Sequence, residues 1–163
     1  MQREDNMAEI TQEELNERVA ILTRFRSLLE QQREKFKEYL NVLEKQQDSI
    51  NSENTNALIA HTELEQQVVK NIANLQKAII PMGKMYSATT PSSAEQASIE
   101  NLQQELNELQ NKVLVQNQKN RDLLRVHIEN LKNQMDNFKN PYKNIRSVYA
   151  KTSNVGSMVE INV

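Results

Sequence analysis

The side chains that could do chemistry in this chain are few: His61, His127, a scatter of carboxylates, and a C-terminal stretch from Lys139 to Val163. The two histidines lie far apart, and no second His or Cys stands at ligand spacing from either. His61 follows Leu58 by three residues on the apolar side of a helix, which predicts a partly buried, hydrogen-bonded imidazole rather than a metal ligand. Glu13, Glu14, Glu17, Glu30, Glu34 and Glu38 mix with Arg and Lys at three- and four-residue spacing. That is the pattern of solvated helix faces, not of a carboxylate pair set for acid–base work. No glycine-rich phosphate loop is present, and no nucleophile has a base nearby. The sequence predicts no enzymatic activity, no metal and no cofactor.

What remains is chemistry of recognition. Asn120 falls on the extrapolated apolar seam of a long helix, within Asn120-Arg121-Asp122-Leu123-Leu124. An Asn there either fixes helix register or joins a partner surface. Beyond Asn140-Pro141, which should stop any arriving helix, the chain reads Tyr142, Ile145, Val148 and Tyr149, then Gly156 and Met158-Val159-Glu160-Ile161-Asn162-Val163. The alternation of Val159, Ile161 and Val163 with polar residues is a strand signal without a partner strand. Such a segment could pair with a sheet edge of another protein, or dock on the chain's own helices. Met158 adds an apolar side chain that adapts to irregular surfaces.

The elements that must hold these residues are helices. Of 163 residues 37 % are apolar, there is no Trp and there are only two glycines. This is too little for a large globular core but enough for narrow seams between long helices. Thr11-Gln12-Glu13-Glu14 is a capping-box signature. After it Leu15, Leu22, Leu29, Phe36, Leu43 and Ile50 form one line at intervals of seven. Ile21, Leu28 and Val42 flank it on one side, and Val19, Phe25, Tyr39 and Leu40 on the other, a stripe wide enough for two neighbouring helices. Gln32, Arg33, Gln46 and Gln47 interrupt the second seam, so discontinuous packing is expected there.

Asn51 to Asn56 is a cluster of cap and turn formers, with Ser52 or Asn54 capping the next helix. That helix carries Leu58, Leu64, Val68, Ile72, Leu75 and Ile79 and is expected to stop at Pro81. A third helix is expected from Ser93, with Gln96 completing a capping box. Its seam runs Ile99, Leu102, Leu106, Leu109, Val113, is lost through Gln116–Asn120, and resumes at Leu124, Ile128, Leu131, Met135 and Phe138. The polar interval reads as a weak point or a contact surface. The expected architecture is all-α: a coiled-coil-like, antiparallel three-helix bundle over 1–138, with helices near 11–51, 53–80 and 93–139, a loop at 81–92, and a flexible recognition tail at 139–163.

Charge and hydropathy bound the partners. The formal charge is −2, which makes no electrostatic case for nucleic acid. From Lys139 onward four basic residues face one acid, so the tail carries +3 and the remainder −5. No window approaches the ~20 apolar residues of a membrane span, and the polar N-terminus lacks the apolar core of a signal peptide. The absence of Cys allows a reducing, cytoplasmic home.

Four stretches carry a resemblance to a known family. Leu43-Glu44-Lys45-Gln46-Gln47-Asp48-Ser49-Ile50, the polar break and Ala57-Leu58 form the first. The second is His61-Thr62-Glu63-Leu64-Glu65 through Leu75 to Pro81. The third is Asn120 with Leu123-Leu124, and the fourth Val148-Tyr149-Ala150 followed by Gly156. In this order they resemble the FlgN family of flagellar export chaperones, with Ala150 standing where the family has Gly and Gly156 coming later than in its motif. The resemblance implies a cytoplasmic, non-enzymatic helical protein, monomeric or weakly dimeric, that binds hook–filament junction proteins and delivers them to the type III export gate. It implies cargo contacts at Asn120, Leu123, Leu124, Ile128 and Leu131 and in the tail at Met158, Val159 and Ile161, and a gate contact at Tyr149. Two other readings stay open on the residues alone: a structural coiled coil that self-assembles or scaffolds a partner, and an interfacial membrane protein using the basic tail.

Overall fold

The computed structural model of the protein describes residues 11–137. Three long helices pack against one another in chain order: α1 (Gln12–Asn51), α2 (Thr55–Ala88) and α3 (Ser93–Asn137). Among the described residues there is no strand. The described residues divide into two units, the first ending at Val126 and the second beginning at His127.

In the first unit, α1 supplies most of the buried surface. It starts at the expected capping box: Glu14 N–H donates to Thr11 Oγ1 at 3.2 Å, and Thr11 N–H donates to Glu14 Oε2 at 3.0 Å. From Phe25 on, its seam is dry, with Phe25, Leu28, Leu29, Phe36, Tyr39, Val42, Leu43 and Ile50 all buried. Burying each such side chain contributes about 1.5–3 kcal/mol, against 0–1 kcal/mol for exposed ion pairs such as Arg26–Glu30 and Lys37–Glu34. The apolar seams hold the bundle. The line of sevens fails only at its start, where Leu15 is exposed, as is the flanking Val19.

One sequence-based expectation for α1 needs correction. Gln32 and Gln46 do not interrupt its second seam; they are 3 % and 4 % exposed and lie inside it. With Phe25 and Tyr39 they form their own line at intervals of seven, and each amide finds a partner on a neighbouring helix.

The α1–α2 corner closes through a Schellman motif. Asn54 N–H reaches Ser49 O at 2.9 Å and Glu53 N–H reaches Ile50 O at 3.1 Å. Glu53 takes the left-handed conformation, φ 55°, that this position requires. Asn54 then caps α2, accepting from Ala57 N–H at 3.1 Å.

Pro81 does not end the second helix. α2 continues to Ala88, so the expected loop at 81–92 shrinks to 89–92. Proline removes one helix hydrogen bond and crowds the preceding turn, but tertiary contacts carry the chain past it. Tyr86 stacks on Phe25, with ring centroids 5.1 Å apart and a 30° tilt. Gly83 passes the same ring, where an added Cβ would sit 3.5 Å from Phe25 Cε2. That is ordinary contact in a helical conformation. The two corner positions therefore predict opposite glycine effects. Gly83→Ala should stabilise by about 0.5–1 kcal/mol, and Glu53→Gly by about 1 kcal/mol, read as shifts in urea midpoint.

The capping box of α3 is displaced by one residue from the expected Ser93/Gln96 pair. Glu95 N–H donates to Ser92 Oγ at 3.3 Å and Ser92 N–H to Glu95 Oε2 at 2.9 Å, while Gln96 instead donates along the helix to Glu100. Cross-links from α1 to α3, Arg33 Nη1 to Glu105 Oε2 at 3.3 Å and Gln116 Nε2 to Gln47 Oε1 at 2.7 Å, show the two helices running in the same direction. α2 runs against both.

Candidate partner-binding surface

α3 carries one seam whose burial changes along its length. Ile99, Leu102, Leu106 and Val113 are buried against the bundle, at 2 to 7 % exposure. In the second unit the seam continues at the same spacing through Ile128, Leu131 and Met135, yet Ile128 is only half-buried and Leu131 and Met135 are 55 % and 70 % exposed. Apolar residues at i, i+3 and i+7 on one helix make a face suited to another helix. Among the described residues nothing covers Leu131 or Met135. Of the cargo contacts implied by the sequence, Ile128 and Leu131 lie on this face; Met135 belongs to it and was absent from that set, although it sits four residues beyond Leu131.

Leu123 and Leu124 fall in the first unit, both half-buried. Leu123 lines a shallow outward groove with Val115, Lys119, Asp122 and Val126. Val115 and Val126 are 70 % and 51 % exposed. Val113-Leu114-Val115 is the signal in the sequence: three consecutive apolar residues cannot all enter one seam. Tyr149, Met158, Val159 and Ile161 lie outside the described residues.

Asn120 does not belong to an outward surface. It is 1 % exposed and fully engaged: Nδ2 donates to Leu43 O at 2.8 Å and to Gln46 Oε1 at 3.5 Å, and Oδ1 accepts from Gln116 Nε2 at 2.9 Å. Of the two roles open to Asn120, these contacts serve register. Gln116 and Asn120, the two ends of the polar interval, are thus part of a hydrogen-bonded layer, while Gln118 and Lys119 between them are exposed.

That layer crosses all three helices. Gln46 Nε2 donates to Glu65 Oε2 on α2 at 2.6 Å, and Tyr39 Oη donates to Glu65 Oε1 at 3.1 Å. Burial, the Glu65 carboxylate and the hydrogen bond to it hold the Tyr39 hydroxyl far above the ordinary phenol value of 10.0, with Arg121 opposing them. The folded state therefore keeps this proton where the unfolded chain releases it. Stability should fall as pH rises above about 10. Tyr39→Phe should cost about 1 kcal/mol at neutral pH through the lost hydrogen bond and flatten that alkaline fall, measurable in urea melts across pH.

His61 is half-buried as expected, but its Nδ1 is enclosed without a hydrogen-bond partner, contrary to the hydrogen-bonded imidazole the sequence predicts. Among the described residues no group of three or more His, Asp or Glu is placed to hold a metal ion. Among them, too, no helix is long and apolar enough to cross a membrane.

The chain is 37 % identical over 129 residues to an uncharacterized protein of Treponema pallidum (strain Nichols), a match covering 79 % of this chain and 82 % of that one. The chain belongs to that protein's family. Wherever the matched stretch begins, 129 of 163 residues must include Lys35 to Glu129, so the family likeness spans the last part of α1, all of α2, most of α3 and every residue of the polar layer. No family model matches the chain. No solved structure matches it.

Proposed function

We propose that this protein is a cytoplasmic, non-enzymatic chaperone of flagellar type III export, which holds hook–filament junction proteins and passes them to the export gate. One observation carries the reading beyond the resemblance: the α3 seam that is buried at Leu102, Leu106 and Val113 is open at Leu131 and Met135. An amphipathic helix of a client, which would otherwise polymerise through its own apolar face, fits such an open seam. Ile128, Leu131 and Met135 take the client helix in this reading, Leu123 and Leu124 adjoin it, Met158, Val159 and Ile161 extend the contact, and Tyr149 serves the gate. A client held by a few apolar anchors can be released without a nucleotide site in this chain.

The exposed Leu15 and Val19 at the start of α1 favour a second reading, a structural coiled coil that assembles through its open seams. Light scattering separates the two. The chaperone reading expects a monomer or weak dimer that forms a stoichiometric complex with a purified junction protein. Long, concentration-dependent assemblies of the pure protein, with no such complex, would establish the structural reading in its place. Deleting Lys139–Val163 should leave helical circular dichroism nearly intact while abolishing the complex.

A further inference from the structure

The apolar seams of this bundle repeat at intervals of seven, and that repetition leaves their alignment undetermined. On α3, moving along by seven residues brings Ile99 to the place of Leu106, Leu102 to that of Leu109, and Leu106 to that of Val113. On α1 the same step carries Leu22, Leu29, Phe36 and Leu43 onto one another's places. A slip of one heptad therefore keeps apolar side chains against apolar side chains. It does not keep the polar layer. Asn120 would move to the level of Phe36 or Ile50, and Val113 or His127 would face the Leu43 carbonyl and the Gln46 amide.

In the observed alignment the amides form one continuous chain. Glu65 on α2 accepts from Gln46 on α1; Gln46 accepts from Asn120 on α3; Asn120 accepts from Gln116; and Gln116 also donates to Gln47 back on α1. Asn120 and Gln46 are 1 % and 4 % exposed, so a slipped alignment leaves their polar atoms buried without partners. The link at 89–92 between α2 and α3 is short, but the helical turn beyond Pro81 can unwind and lengthen it.

We propose that the Glu65–Gln46–Asn120–Gln116–Gln47 chain is a register lock: it selects one alignment of α3 along α1 from alignments that the apolar seams alone leave nearly equal. The lock is independent of what the open α3 seam binds. It implies that the layer contributes uniqueness rather than net stability.

The chain contains no Cys, so engineered cysteine pairs report alignment cleanly. Arg33→Cys with Glu105→Cys replaces a pair in contact at 3.3 Å and reports the observed register. Arg33→Cys with Lys112→Cys, or with Ser98→Cys, reports a slip of one heptad either way. Each pair is treated with a short bis-maleimide in the full chain, with and without Asn120→Leu and Gln46→Leu together. With the natural layer, only the 33/105 pair should cross-link efficiently. With both leucines, the protein should melt at a higher temperature and cross-linking at 33/112 or 33/98 should rise about tenfold. Leucine variants that cross-link only at 33/105 overturn the lock. A leucine variant that melts lower or fails to fold also overturns it, because the layer would then be holding the helices together rather than choosing among alignments.

Discussion

Asn120→Asp is expected to destabilise the protein by about 3–5 kcal/mol at neutral pH, a large share of the 5–15 kcal/mol typical of a folded domain. The change is nearly isosteric, so packing does not cause it. Asn120 Nδ2 donates to Leu43 O and Gln46 Oε1, and a carboxylate there would point an anionic oxygen at both acceptors. Only the bond from Gln116 survives. At 1 % exposure water cannot replace what is lost. Burial would hold the new carboxyl's folded-state pKa above its unfolded value of about 3.9. The deficit is then smallest below the unfolded pKa, where the group is protonated and can donate again, and it grows as pH rises through the folded pKa. Urea melts between pH 4 and 8 should show it. Asn120→Ala, which loses the bonds and volume but adds no charge, should cost about 2 kcal/mol with no such pH dependence. An Asp variant within 1 kcal/mol of the natural protein at pH 7 would mean that the layer is wet.

Asn120 lies on a seam by its spacing and in a polar run by its neighbours, so the sequence alone leaves both register and a partner surface open to it. The line Leu22, Leu29, Phe36, Leu43 and Ile50, the Thr11 capping box and the Asn54 cap are local patterns, and local patterns predict local structure well. Polarity alone points Gln32, Gln46 and Gln116 to gaps in the seams. Gln46 and Gln116 meet Asn120 only when α3 is set beside α1 at one offset, and Gln32 meets Ile72 O only across the α1–α2 hairpin; no single helix encodes either pairing. Pro81 misled for a related reason. Its local effect is to end a helix, and what overrides it is Phe25, fifty-six residues earlier, stacked on Tyr86 and lying against Gly83. The open end of the α3 seam is half legible: its spacing is plain in Ile128, Leu131 and Met135, whereas spacing alone does not say which part of a seam is covered.

Replacing Leu131 and Met135 together by Gln is expected to weaken the complex with a junction protein at least about 100-fold while leaving the melting temperature within a few degrees. Both side chains are more than half exposed, so the folded chain loses little when they become polar. Gln matches Leu and Met in helix propensity, which keeps α3 itself unchanged. In a complex the same two residues would be central anchors, each carrying about 2 kcal/mol or more, and such contributions combine without simple addition. The contrast with the buried part of the seam makes the result diagnostic. Leu102→Gln, at 6 % exposure, should lower stability by several kcal/mol through a polar group forced into the dry core. Its effect on binding should track unfolding and vanish at low temperature, where the bundle is intact. The double Gln variant should lose binding with the bundle fully folded, by titration calorimetry alongside circular dichroism. If it instead binds the junction protein as tightly as the natural chain, the open seam is not the client site. The outward groove at Val115, Leu123 and Val126 would then be the next surface to alter.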